Sequence, residues 1–476
     1  MIDWFVVAGY LAVMLYVGWR SRAQSADGYW VAGRRYSTAR ITASLVATIF
    51  GASSTIGIIG LGYTRGLTGA WWALIGGIAL IPFAIFLAPT VRRLNVYTLP
   101  DILKGAYGDT VAIPAGLAIS VAWCGVVAAQ MIAGARLVGQ LFTLDFEWAL
   151  ITVALVFTLY TFWGGQLSVI RTDLWQFLLF MGGLLIAIAF LLTTQDPRSL
   201  LWEQIPADHL RFPVSAQFGW YELLVFYPLI VGLPYLVGPD IYSRIFCAGN
   251  DHIARRSALQ AAVIVIPLAL LLAFFGVLAR GRFPGIAPEA ALPQTLNALI
   301  PMGIKGVITA GFLGAVMSSA DTCLLSAATI LALNVIDPVS RLSQSGRLRL
   351  TRILVLVLGA AACLVASRQR EIIASLLLGY TVFVGGVALP TLTAFLKPRL
   401  NVTSLAAFWA VIVGGGSALL AKIHGGAPLK ALLPQQMEIW LANLLGARYP
   451  SLLPIALCLL VLLVGSYAGR SEQKIA

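Results

Sequence analysis

Positions 315–328 read AVMSSADTCLLSAA, which sets Ser318, Ser319, Asp321, Thr322 and Ser326 inside an otherwise apolar run. At 100° per residue, Ala315, Ser318, Ser319, Thr322 and Ser326 fall within about 100° of one another on a helix, with Asp321 about 60° beyond Ser318. One stripe therefore offers hydroxyl oxygens with a carboxylate at its edge. Hydroxyls and carbonyls are hard ligands that suit a small alkali cation better than a transition metal. Small polar residues at this spacing also let membrane helices pack closely and bond across. Asp321 asks for more than packing. An ionisable group at the centre of a membrane helix costs about 2.5–3.5 kcal/mol and normally faces a cavity, an ion or a partner.

A second carboxylate lies in GGQLSVIRTDLWQ (164–176), where Asp173 sits about two turns inside the next apolar run. Arg171, two residues away, does not face it on a helix. Asp173 either binds an ion or caps and pairs within an inner vestibule. Backbone oxygens come from a third stretch, VATIFGASSTIG (46–57), whose Gly, Ala, Ser and Thr weaken a helix at mid-run. Carbonyls freed at membrane depth are tolerated only where they line a cavity or bind something. Together with hydroxyls of the 315–328 stretch they make a five-oxygen cage of modest charge, as a reversibly bound Na⁺ requires.

The elements that must position these groups are membrane helices. The chain has 476 residues, is 59% hydrophobic and only 11% charged, too few charges for a soluble surface. About thirteen apolar runs recur, near 2–19, 40–62, 69–91, 111–138, 147–164, 168–194, 219–240, 257–279, 305–334, 351–367, 373–395, 403–421 and 450–467. They are helices that cross a hydrocarbon core of ~30 Å. The first lacks a basic leader and a small-residue cleavage site, so it reads as a retained helix. The net charge of +13 reflects orientation and not nucleic acid. With the N-terminus outside, the inner loops hold Arg20, Arg22, Arg34, Arg35, Arg92, Arg93, Arg255, Arg256, Arg347 and Arg349, and the C-terminus is cytoplasmic. A multi-pass protein of the cell membrane is expected, with the bilayer and a small organic solute as partners. A monomer is compatible with it.

The seventh run contains FYPLIVGLPYLVGPD (226–240), in which Pro228, Pro234 and Pro239 interrupt a helix. Runs two and seven are five apart and of opposite direction. Interrupted segments at matching positions of two inverted halves point to a transporter's binding site; Gly and Pro are also frequent in membrane helices generally. The five cysteines form no CxxC pair, and His209, His252 and His424 all fall in loops. A disulfide framework, a metalloenzyme or a histidine relay has little to build on. No catalytic cluster gathers at one membrane face, so an enzyme is not expected. No appended soluble domain is expected either, and LPQQMEIWLANLL (433–445) reads as an interfacial amphipathic helix.

The chain resembles the sodium:solute symporter family, which includes sodium-coupled proline, pantothenate, glucose and choline carriers. The resemblance rests on GYWVAGRRYS (28–37), ASLVATIFGASSTIGIIGLGY (43–63), GGQLSVIRTDLWQ (164–176), PDIYSRIFCAGNDHIARRSAL (239–259) and GAVMSSADTCLLSAATI (314–330), five motifs in order across nearly the whole chain. It implies an all-α integral membrane fold of about thirteen helices with an inverted five-plus-five repeat, a leucine-transporter-type core. The divisions are then 1–37, a first helix and loop; 38–200, repeat one; 201–421, repeat two; and 422–476, the outer loop and last helices. It implies Na⁺-driven uptake by alternating access, with a Na⁺ site at the backbone oxygens of Ala47, Phe50 and Ala315 and the side chains of Ser318 and Ser319. Some members hold a second cation, which maps here to Asp173, Asp321 and Thr322. The family's solute site maps to Ile49, Ser53, Ser54, Trp71, Trp72, Gln130 and Tyr235. Ile49, Ser53, Ser54 and Val231 stand where sugar carriers present amides and acids, and Ile49 where choline carriers present tryptophan. A small amino acid or a monocarboxylate is favoured. The nearest rival is a proton-coupled or uncoupled carrier of the same fold, for which the two aspartates would serve.

Overall fold

A computed structural model of the chain describes residues 2–21, 25–193, 204–423, 436 and 449–475. Among the described residues every regular element is helical. We number the principal ones α1 (Ile2–Arg20), α2 (Thr38–Ile49), α3 (Ile58–Arg65), α4 (Trp71–Pro82), α5 (Asp109–Phe142), α6 (Phe146–Thr193) and α7 (Leu233–Val237). There follow α8 (Pro239–Phe246), α9 (Asp251–Arg282), α10 (Ile304–Ile330), α11 (Gln344–Gln369), α12 (Ile372–Phe383), α13 (Ser404–Ile423) and α14 (Tyr449–Ile475). The expected interfacial helix at 433–445 lies outside the described residues, as do the junction at 200/201 and most of 424–448.

Among the described residues ten helices, some joined end to end, are long and apolar enough to cross a membrane, where the sequence suggests about thirteen spans. The difference lies in where helices join and where they break. α6 has 48 residues, about 72 Å at 1.5 Å per residue and more than twice a hydrocarbon core. It cannot be one span. Gly165 sits inside it at φ +55° and ψ −154°, a conformation only glycine adopts readily. The chain folds back there: the Tyr160 hydroxyl lies 2.7 Å from that of Thr172, twelve residues on. The continuous stretch Ser53–Arg93 likewise turns at Gly66, which has φ +73°. Span two is the reverse case, too short as α2 alone and completed by α3 beyond a break.

The two interruptions fall where small residues and prolines foretold them. α2 ends at Phe50 (φ −84°, ψ 51°), and a wide turn over Ser53–Gly57 leads into α3. In span seven, wide turns over Glu222–Phe226 and Pro228–Gly232 precede α7, and the extended Gly238 (ψ 134°) separates α7 from α8. The helices turn apolar side chains outward, with Phe5 77% and Phe86 70% exposed, while Ser318, Asp321 and Thr322 on α10 are fully buried. That arrangement puts lipid-compatible groups outside and polar groups where protein can satisfy them.

Candidate cation and solute site

α10 packs against α6 and α2, and this brings the serine stripe to the break in span two. Gly51 is where the two meet. A Cβ built on it would stand 2.6 Å from the Ser319 Cβ and 2.6 Å from the Gln130 Oε1, so only glycine fits this approach. Gln130 also accepts a hydrogen bond from the Ala52 N–H at 2.6 Å and so satisfies part of the open backbone. Among the described residues, no hydrogen bond reaches the carbonyls of Ala47 or Phe50. Helix ends leave such oxygens without partners, and both residues are buried. Ala315, Ser318 and Ser319 lie on α10, also buried, with Ser319 against Gly51 of the break. Ser318 donates its hydroxyl proton to Asp173 Oδ1 at 2.6 Å, which leaves its lone pairs available to a cation. The donor set is therefore neutral hard oxygen backed by one carboxylate. It fits a monovalent alkali ion.

Asp173, Asp321 and Thr322 are distributed differently from the expectation of a second cation site. Asp173 accepts from Ser44 as well as Ser318, and its Oδ2 lies 3.5 Å from Arg244 Nη2, both side chains being fully buried. Arg244 comes from α8; its Nε donates to the Thr48 hydroxyl at 3.0 Å and its Nη2 to that of Thr322. A tethered guanidinium thus occupies the space between Asp173 and Thr322. Asp321 faces elsewhere, accepting from the Thr161 hydroxyl at 2.8 Å, with its Oδ2 unpartnered. The sequence reading missed Arg244, although it lies in the quoted motif PDIYSRIFCAGNDHIARRSAL.

Beside the Ser319 corner lies a small cavity of about 20 Å³, room for about one water. Of the expected solute residues, Ile49, Ser53, Ser54, Gln130 and Tyr235 line it, joined by Thr48, Asp240, Cys323 and Tyr380. Trp71 and Trp72 do not. The Trp71 indole donates to the Pro213 carbonyl at 2.8 Å and stacks on Phe212, while Trp72 packs edge-on against Tyr227. Trp71 thus braces the 212–213 segment against α4 and Trp72 packs on span seven, because the side of a helix on which an end residue lands depends on its packing partners.

Comparison with known proteins identifies the family and the fold. The model of the sodium:solute symporter family matches residues 29–414. The sodium/myo-inositol cotransporter 2 of Sus scrofa is 26% identical over 391 residues, 73% of this chain, and the match spans 58% of that protein's length. The sodium/pantothenate symporter of Escherichia coli (strain K12) is 28% identical over 482 residues, covering 96% of this chain and 93% of that protein. In structure, a Na⁺-coupled sialic acid symporter in a substrate-bound outward-open state superposes with a TM-score of 0.78 over 98% of both chains, at 19% identity. The expected leucine-transporter-type architecture is the fold of the molecule.

Proposed function

We propose that this chain, which belongs to the sodium:solute symporter family, is a multi-pass membrane carrier that couples Na⁺ to the uptake of a small organic solute. One observation carries the reading: the broken stretch of span two meets the serine pair of α10, with the Ala47 and Phe50 carbonyls open and Gly51 against Ser319. Ala47, Phe50, Ala315, Ser318 and Ser319 form the Na⁺ site; Ile49, Ser53, Ser54, Gln130 and Tyr235 contribute to the solute site beside it.

The two sites share the 47–54 segment, and that is the coupling. A cation held by α2 and α10 fixes the geometry of the break, which forms one wall of the solute cavity. Binding of one ligand thereby preorganises the site for the other. Release to the inside follows when the halves 38–200 and 201–421 separate and part α2 from α10. The N-terminus outside and the C-terminus in the cytoplasm fit the arginine distribution. A second cation at Asp173, Asp321 and Thr322 is less well supported, since Arg244 already bonds to two of the three.

The test is thermal unfolding of the detergent-purified chain in NaCl and KCl at fixed pH. A ligand that binds only the folded form raises stability by RT ln(1 + [L]/Kd). Na⁺ should stabilise, K⁺ should not, and Ser319→Ala should abolish the difference. Equal behaviour in the two salts with a strong pH response would transfer coupling to the aspartates and favour the proton-coupled carrier.

A further inference from the structure

One carboxylate on the cavity wall has no part in the scheme above. Asp240 is the second residue of α8, one turn before Arg244. Among the described residues no basic nitrogen lies within ion-pair distance of it: Arg244 is engaged by Asp173, Thr48 and Thr322. The other polar groups on the wall, from Thr48, Ser53, Ser54, Gln130 and Ser319, are neutral, and Tyr235 and Tyr380 contribute aromatic rings. A half-buried carboxylate without a cation beside it is expensive at membrane depth. An anion flanked by aromatic faces and hydroxyls is the arrangement that recognises an organic ammonium.

The charge balance around the cavity points the same way. Among the described residues Arg244 is paired with Asp173, while no ion pair reaches Asp240. A positive charge is therefore missing beside Asp240. We propose that the solute supplies it, as a protonated amine seated against Asp240 and the rings of Tyr235 and Tyr380. This rests on reading the cavity as the solute site. It selects between the solute classes left open by the sequence: an amino acid or related amine fits, whereas a monocarboxylate would bring a like charge beside Asp240.

The full chain in detergent tests this by thermal unfolding in NaCl with glycine, alanine, proline and ethanolamine, against lactate, acetate and myo-inositol. Further stabilisation should come only from members that carry an ammonium group. Asp240→Asn should raise the apparent Kd for that solute on the order of 30-fold or more, as losing one partner of a buried charge pair does. The variant should keep the stabilisation by NaCl alone, which shows that it folds with the cation site intact. Asp240→Glu, which keeps the charge, should retain part of the solute response. Stabilisation by lactate, acetate or myo-inositol, an ammonium response unchanged in Asp240→Asn, or no ammonium response at all would each overturn the proposal. Absence of any NaCl effect on the native chain would instead overturn the Na⁺-coupled reading on which it stands.

Discussion

At the scale of single residues, Arg244 has the largest consequence for its size. It touches α2 through Thr48, α10 through Thr322 and α6 through Asp173, so one side chain ties both interrupted segments to α10. Removing one member of a fully buried ion pair typically costs about 3–5 kcal/mol, because the partner charge stays behind uncompensated. Arg244→Gln should therefore lower the unfolding temperature sharply in KCl, and adding Asp173→Asn should recover most of the loss. The single variant makes a second expectation available. With the guanidinium gone, Asp173, Ser318 and Thr322 surround a space that a free cation can enter, so NaCl should restore part of the stability of Arg244→Gln where KCl does not. Equal recovery in both salts would mean that the pocket is merely a structural clasp. None of this was legible in the sequence. Arg244 stands far from its three partners along the chain, and a lone arginine in a motif does not reveal which carboxylate it faces.

At the scale of elements, the break in span two depends on a close approach that one methyl group would spoil. Gly51→Ala should cost about 1–3 kcal/mol by overpacking and should remove the Na⁺-specific part of the stability, since Ser319 and Gln130 would both be pushed aside. Gly416→Ala on α13, where nothing lies within 4 Å of the added carbon, is the matched control and should change neither. A second element-scale expectation concerns the short outer turn Pro288–Ala290, fastened by the ion pair of Glu289 with Arg136. Burial raises the Glu289 carboxyl above the ordinary glutamate range despite that arginine. The folded state thus holds this proton to higher pH than the unfolded chain does, and stability falls as pH rises through the interval. Glu289→Gln should flatten that slope in pH-scanned unfolding. The breaks themselves were readable, because Gly, Pro and small polar residues weaken a helix by local chemistry. The placement of Trp71 and Trp72 was not. It depends on Phe212 and Pro213 packing against Trp71 and on Tyr227 packing against Trp72, and a helical period alone does not say which neighbour a terminal indole will meet.

For the whole molecule, the question is how much work each transport cycle can do. One Na⁺ moving across ~100 mV releases about 2.3 kcal/mol, and a tenfold concentration gradient adds about 1.4 kcal/mol. The sum, roughly 3.7 kcal/mol, sustains a gradient of a few hundredfold for a solute without net charge. A second ion would square that limit. The structure bears on which applies, since Arg244 moves with the protein and carries no charge across the membrane on balance, whereas a free ion in its place would. One Na⁺ per solute is therefore expected. In proteoliposomes clamped at zero potential and loaded with a zwitterionic solute, the steady-state accumulation ratio should follow the Na⁺ ratio to the first power. A tenfold steeper Na⁺ gradient would raise accumulation tenfold with one ion and a hundredfold with two. First-power dependence in the native chain, turning steeper in Arg244→Gln if that variant still transports, would locate the choice of stoichiometry in a single tethered cation. Second-power dependence in the native chain would mean that another carboxylate holds a transported ion of its own.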